Sequence, residues 1–167
     1  GPAELSGEQD RVINEILTGK NVFVTGGAGV GKSFIVERIR KVLKERGMEM
    51  AICASTGIAA VHVGGQTLHS FAGLPIEPMS KESIAEDNYK KKPVRFRYKK
   101  IQVLLIDEIS MVSGQILDTV DFVAKRCRGT EMDGKPLFHS DPMGGIQIIA
   151  VGDFFQLPPV KLHGGFA

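Results

Sequence analysis

Apolar and polar positions along this chain fall into two repeating patterns. Four short runs, 21–25, 49–54, 101–106 and 146–151, are apolar almost without interruption and rich in β-branched residues. Runs of that length predict strands buried on both faces, as in a parallel sheet. Other stretches repeat apolar residues every three or four positions. They are Val12, Ile13, Ile16 and Leu17 ahead of Gly19; Ile35, Ile39, Val42 and Leu43 within 34–46, ahead of Gly47; and Ile116, Leu117, Val120, Val123 and Ala124. These predict amphipathic helices, the first two stopped by glycine. Strands alternating with helices indicate an α/β domain with a parallel sheet and helices on both faces. Two stretches fit neither pattern. Residues 81–100 predict a helix around Ile84 and Ala85 that Pro93 must end, and 129–145, broken by Gly134, Pro136, Pro142 and Gly144, predict a long loop or hairpin.

The strand ends carry the candidate chemistry. Gly26-Gly27-Ala28-Gly29-Val30-Gly31-Lys32-Ser33 fits the phosphate-loop pattern and lies between the first predicted strand and a predicted helix, the context that pattern requires. Its glycines let backbone NH groups curl around a phosphate, and the helix start adds positive dipole. Lys32 is placed to reach the β and γ phosphates and Ser33 to ligate magnesium. The third strand delivers Asp107-Glu108, one acid to hold Mg2+ and one to orient and deprotonate the attacking water. The fourth delivers 152–159, in which the amide of Gln156 suits the γ-phosphate or its water. Ser55, Thr56 and Gly57 follow the second strand, where open α/β sheets place their ligands; a helix cap would need the same residue types. Ser6 and Gln9 have the spacing of a capping box, and a glutamine upstream of the loop equally suits an adenine edge.

Composition narrows the picture. A chain of 167 residues, 43% hydrophobic, is long enough for one domain with a real core and has no apolar run of the length a membrane span needs. The net charge of +2 argues for nothing until the charge is located. It gathers at 81–100, where Tyr89, Phe96 and Tyr98 interleave with lysine and arginine, a composition used by single-strand grooves and also by ordinary solvated faces. Cys53 and Cys127 are far apart and His62, His69, His139 and His163 show no ligand spacing, so a disulfide framework or zinc site is not expected. Gly1-Pro2 has the form of a tag-cleavage remnant, setting 1–4 apart as a disordered lead, with the domain at 5–160 and a truncated tail at 161–167.

With these motifs in hand, the chain resembles the first motor domain of the PIF (petite integration frequency) helicases, in the RecD-like branch of superfamily 1. The resemblance covers 5–160 and implies a RecA-like P-loop NTPase fold. It rests on the phosphate loop, on 5–9 as the adenine-reading glutamine motif, and on 55–60 and 67–73 as two single-strand DNA contact motifs. It rests also on Asp107-Glu108-Ile109-Ser110-Met111-Val112 as the Walker B box, on the signature segment that follows to Arg128, and on 152–159. It implies ATP and Mg2+ as cofactors, with Gln9, Gly27, Ala28, Gly29, Val30, Gly31, Lys32 and Ser33 binding nucleotide. It likewise implies that Ser33 and Asp107 hold the metal, that Lys32, Asp107, Glu108 and Gln156 are catalytic, and that Thr56, Gly57, Thr67 and His69 contact single-stranded DNA. The implied activity is 5′-to-3′ DNA helicase action inside the cell, in repair and recombination, with a second motor domain as partner. The fragment alone is then a weak or inactive ATPase. The implied strand order is one, four, three, two, with 21–25 at an edge that favours association between copies. Two other readings are a phosphate-loop kinase acting on a small molecule and a docking module that retains a nucleotide fold.

Overall fold

In the computed structural model, residues 2–25 and 30–152 are described, except for the side chains of residues 2–6, 30 and 31. The central strands follow from their sequences. In β4 (Val103–Asp107) and β7 (Gln147–Gly152) every residue is buried, so successive side chains supply two cores. Val103, Leu105, Ile149 and Val151 face one layer, while Leu104, Ile106, Ile148 and Ala150 face the other. The first layer holds α1 (Pro2–Leu17), α2 (Val30–Glu45) and α3 (Gly57–Val63), through Ile13, Ile16, Ile35, Ile39, Leu43 and Val63. The second holds α4 (Leu68–Ala72), α5 (Lys81–Lys90), α6 (Lys92–Lys100) and α7 (Gly114–Cys127), through Phe71, Ile84, Tyr98, Leu117 and Val120. The expected parallel sheet with helices on both faces is what forms.

β1 (Val22–Thr25), β2 (Met50–Ala54) and β3 (Gln66–Thr67) complete a five-stranded sheet in the order β1-β7-β4-β2-β3, all parallel. This is the expected order with one strand added at the far edge. Among the described residues β1 pairs with β7 alone, so it lies at an edge as expected, although Val22 and Val24 are buried against the helices. The added strand β3 is too short to show as an apolar run. It is admitted because Gly65 passes so close to the Ile52 carbonyl oxygen that any Cβ would collide with it.

Two expectations are corrected. The helix α1 starts at Pro2, upstream of Ser6, so Ser6 and Gln9 are interior positions rather than a capping box, and 2–4 belong to the helix rather than to a disordered lead. Proline is favoured in a first helical turn, and Ala3, Glu4 and Leu5 are good helix formers, which outweighs the capping signal. In the basic stretch α5 ends at Lys90, but Pro93 lies in the first turn of a second helix, α6, instead of leading into irregular chain.

That second helix also redirects the aromatics. Tyr98 is fully buried and its hydroxyl donates to the Ala72 carbonyl at 2.7 Å; Tyr89 lies 3.5 Å beneath the Arg126 guanidinium and 4.8 Å from that of Arg95. Arg126 is itself buried between Glu86 and Glu131, at 2.7 and 3.2 Å. Arg128 caps the end of α6 by donating to the carbonyls of Tyr98 and Ile101 at 2.7 and 2.9 Å. Tyr89 and Tyr98 therefore hold α5, α6 and α7 together and are not platforms for bases. Residues 129–145 fold as a short hairpin, β5 (Thr130–Met132) with β6 (Lys135–Leu137), and a 3-10 turn at Pro142–Gly145. Burial pushes the thiols of Cys53 and Cys127 up to about 12 and about 11, as suits free structural cysteines. No described helix is long and apolar enough to cross a membrane.

Candidate nucleotide and nucleic-acid site

Parallel pairing brings the polar strand ends into one row. The register sets Thr25 opposite Gly152, Asp107 opposite both Val151 and Ala54, and Ala54 opposite Thr67. These strand ends therefore lie at the same end of the sheet, where α/β folds bind ligands.

Lys32, in the first turn of α2, meets Asp107 there, Nζ to Oδ1 at 2.8 Å. The Asp107 carboxyl group is 6% exposed and the lysine 25%, so the pair is shielded enough for its attraction to exceed that of a surface ion pair. The same Oδ1 accepts from the Glu108 backbone N at 2.9 Å. Glu108 itself is left-handed, with φ 53 and ψ 47, a conformation that costs a non-glycine residue about 1 kcal/mol or more. The turn is held by the Glu108 carbonyl, which accepts from Met111 N at 3.0 Å, and by Ser55, whose Oγ donates to Glu108 Oε2 at 3.0 Å. This fixes the position of a carboxylate directly after the acid that faces Lys32.

Among the described residues no three His, Cys, Asp or Glu side chains converge. A transition-metal cage is therefore not built from them. One carboxylate with a hydroxyl nearby in sequence to Lys32 is the donor set of a magnesium site, where phosphate oxygens and water supply the remaining ligands. Asp107 and the exposed Ser33 are residues of that kind.

Gln9 lies on α1 toward α2, its Oε1 accepting from Arg38 Nη1 at 3.2 Å, while Arg38 Nη2 also pairs with Asp10. Arg38 stands about 9 Å along α2 from Lys32 by the 1.5 Å rise per residue. Thr56 and Thr67 follow β2 and start α4 respectively as helix N-caps, their hydroxyls accepting from Ala59 N and Ser70 N, both at 3.2 Å. Each such cap stabilises by about 1 kcal/mol. Gly57 and His69 are exposed beside them, and a pocket of about 320 Å³ opens next to His69, lined by Gly73, Leu74, Asn88 and Lys91. Gly27, Ala28, Gly29 and Gln156 lie outside the described residues, as do the side chains of Val30 and Gly31.

Sequence reasoning missed two residues, Ser55 as the partner of Glu108 and Arg38 as the partner of Gln9. Ser55 could have been found, since it directly follows β2 as Glu108 follows β4, and these strands are neighbours. A larger cavity, of about 850 Å³, lies at the opposite end, beside the half of β2 that β3 is too short to cover. Its lining of Arg40, Lys44, Arg97 and Lys100 includes none of the phosphate-loop or carboxylate residues.

A family profile described as PIF1-like helicase matches residues 4–165. An ATP-dependent DNA helicase Pif1 of Bdellovibrio bacteriovorus is 43% identical over 161 residues, 96% of this chain and 34% of that protein. The crystal structure of Pif1 helicase from Candida albicans superposes with a TM-score of 0.78 at 40% identity, over 95% of this chain and 34% of that one. That of Pif1 helicase from Bacteroides in complex with ADP-AlF3 and ssDNA gives 0.65 at 35% identity, over 92% and 33%. The chain thus spans about a third of the length of these relatives.

Proposed function

This chain belongs to the PIF1-like helicase family, and we propose that it is the ATP-binding half of a 5′-to-3′ DNA helicase motor that couples hydrolysis to movement along single-stranded DNA. The observation that carries the reading is the Lys32–Asp107 pair at the end of the sheet, with Glu108 fixed beside it.

Lys32 is placed to exchange its contact with Asp107 for the β and γ phosphates of ATP, which would leave the buried carboxylate free to hold a cation. Asp107 and Ser33 would hold magnesium, which supplies charge neutralisation for the phosphate oxygens when bound. Glu108 orients the attacking water and takes its proton. Gln156 contacts the γ-phosphate side, and the NH groups of Gly27, Ala28, Gly29, Val30 and Gly31 cradle the phosphates. Gln9 reads the adenine edge, with its amide oriented by Arg38. The Bacteroides relative, bound to ADP-AlF3 and ssDNA, supports both ligands for this family.

Thr56, Gly57, Thr67 and His69 would contact the DNA strand. The threonine hydroxyls that accept from the backbone still have a proton to donate to phosphate. A second motor domain in the complete protein would close the cleft and add the arginines that stabilise transition-state charge.

Binding of labelled single-stranded DNA, titrated against salt with and without a non-hydrolysable ATP analogue, tests the reading. The logarithm of the affinity is expected to fall linearly with log salt, and His69→Ala, which removes no helix cap, to weaken binding about fivefold, the worth of one hydrogen bond. Equal affinity for the variant, or no salt-dependent binding at all, contradicts the DNA assignment.

A further inference from the structure

We propose that Ser55 is a positioning residue that couples occupancy of the DNA strand to placement of the Glu108 carboxylate; the proposal rests on the helicase reading above. Ser55 Oγ donates to Glu108 Oε2 at 3.0 Å across the β2–β4 boundary, one step beyond the paired Ala54 and Asp107. Directly after Ser55 comes Thr56, exposed and assigned to the DNA strand. One peptide bond therefore separates the residue assigned to DNA from the residue that holds the carboxylate assigned to the attacking water.

Two features argue against a merely satisfied hydroxyl. The cap of α3 is made by Thr56, whose Oγ1 accepts from Ala59 N, so Ser55 is not required to start that helix. Its partner, moreover, is a strained residue. Glu108 stands at φ 53, held on its backbone by Asp107 Oδ1 and Met111 N, so its side chain is aimed by few contacts and a displaced Ser55 changes where the carboxylate points.

A phosphate engaged by Thr56 pulls on the strand end and carries Ser55 with it. The carboxylate moves with the hydroxyl that holds it, into or out of line with the attacking water. Misplacement of a base by about 1 Å is enough to change rate by two orders of magnitude.

The test measures ATP turnover in the complete protein that carries this chain, with and without saturating oligothymidylate, for the wild type, Ser55→Ala and Ser55→Thr. In Ser55→Ala the ratio of kcat with DNA to kcat without is expected to fall about tenfold, part of the 100- to 10,000-fold a positioned base supplies. KM for ATP and affinity for DNA stay within about twofold, since the Ser55 hydroxyl is engaged by Glu108 and is assigned to neither ligand, and Ser55→Thr, which keeps the hydroxyl, restores the ratio. An unchanged ratio in Ser55→Ala overturns the proposal while leaving the helicase reading standing. So does a loss carried wholly by DNA affinity, which would make Ser55 a binding residue. Wild-type turnover indifferent to DNA would instead refute the helicase reading, and the coupling with it.

Discussion

Lys32→Ala is expected to lower affinity for ATP by about 10- to 100-fold, the worth of a charge-assisted contact to phosphate lost from a shielded site. The loss is expected to be larger than for any other single side chain described at the site, because Lys32 is the group that Asp107 already holds, at 2.8 Å, where the strand ends converge. Removing it also leaves the buried Asp107 carboxylate with the Glu108 backbone N but without its cation. That lowers the melting temperature of the ligand-free chain, by less than a fully buried pair would because the lysine is 25% exposed. Titration with a fluorescent ATP analogue, alongside thermal unfolding of the same sample, separates the two effects. Unaltered nucleotide affinity in a folded variant removes Lys32 from the phosphate site.

Glu108→Gln is expected to reduce kcat of the complete motor by about 100- to 10,000-fold while ATP affinity stays within about threefold. The amide keeps the size of the side chain and can still accept from Ser55 Oγ, so the local turn at φ 53 is preserved and only proton acceptance is lost. Single-turnover phosphate release measures the chemical step directly. A variant that releases phosphate at the wild-type rate would transfer the base role to another group. Asp107→Asn differs in kind, since Asp107 faces the lysine and is assigned to the cation, so its loss is read in magnesium dependence rather than in the proton step.

Much of this arrangement was legible in the sequence, for physical reasons. Central strands buried on both faces leave uninterrupted apolar runs, so β4 and β7 stand out, and β4 ends in Asp107, the carboxylate that meets Lys32. The short strand β3 left no such trace, because two residues cannot show a period, and only Gly65 beneath the Ile52 carbonyl betrays it. Pro93 misled in the other direction: proline halts a helix from within but opens one from its first turn, and the choice depends on whether Tyr98 can be buried on the far side. The basic stretch was ambiguous for a related reason. Arginine over tyrosine suits a strand of bases or a neighbouring helix equally well, and the structure uses Arg126 on Tyr89 to pin α7 to α5. The link from Ser55 to Glu108 required knowing which strands are neighbours, which spacing along a chain does not give.

A structure of the chain with ADP, aluminium fluoride and magnesium tests the central claim most directly. The expected result is Lys32 Nζ turned from Asp107 to the phosphate side, Asp107 and Ser33 at the cation, Glu108 beside the water in line with the fluoride, and Gln156 lining the same hollow. Nucleotide bound elsewhere, with Lys32 and Asp107 still paired at their present distance, would contradict it.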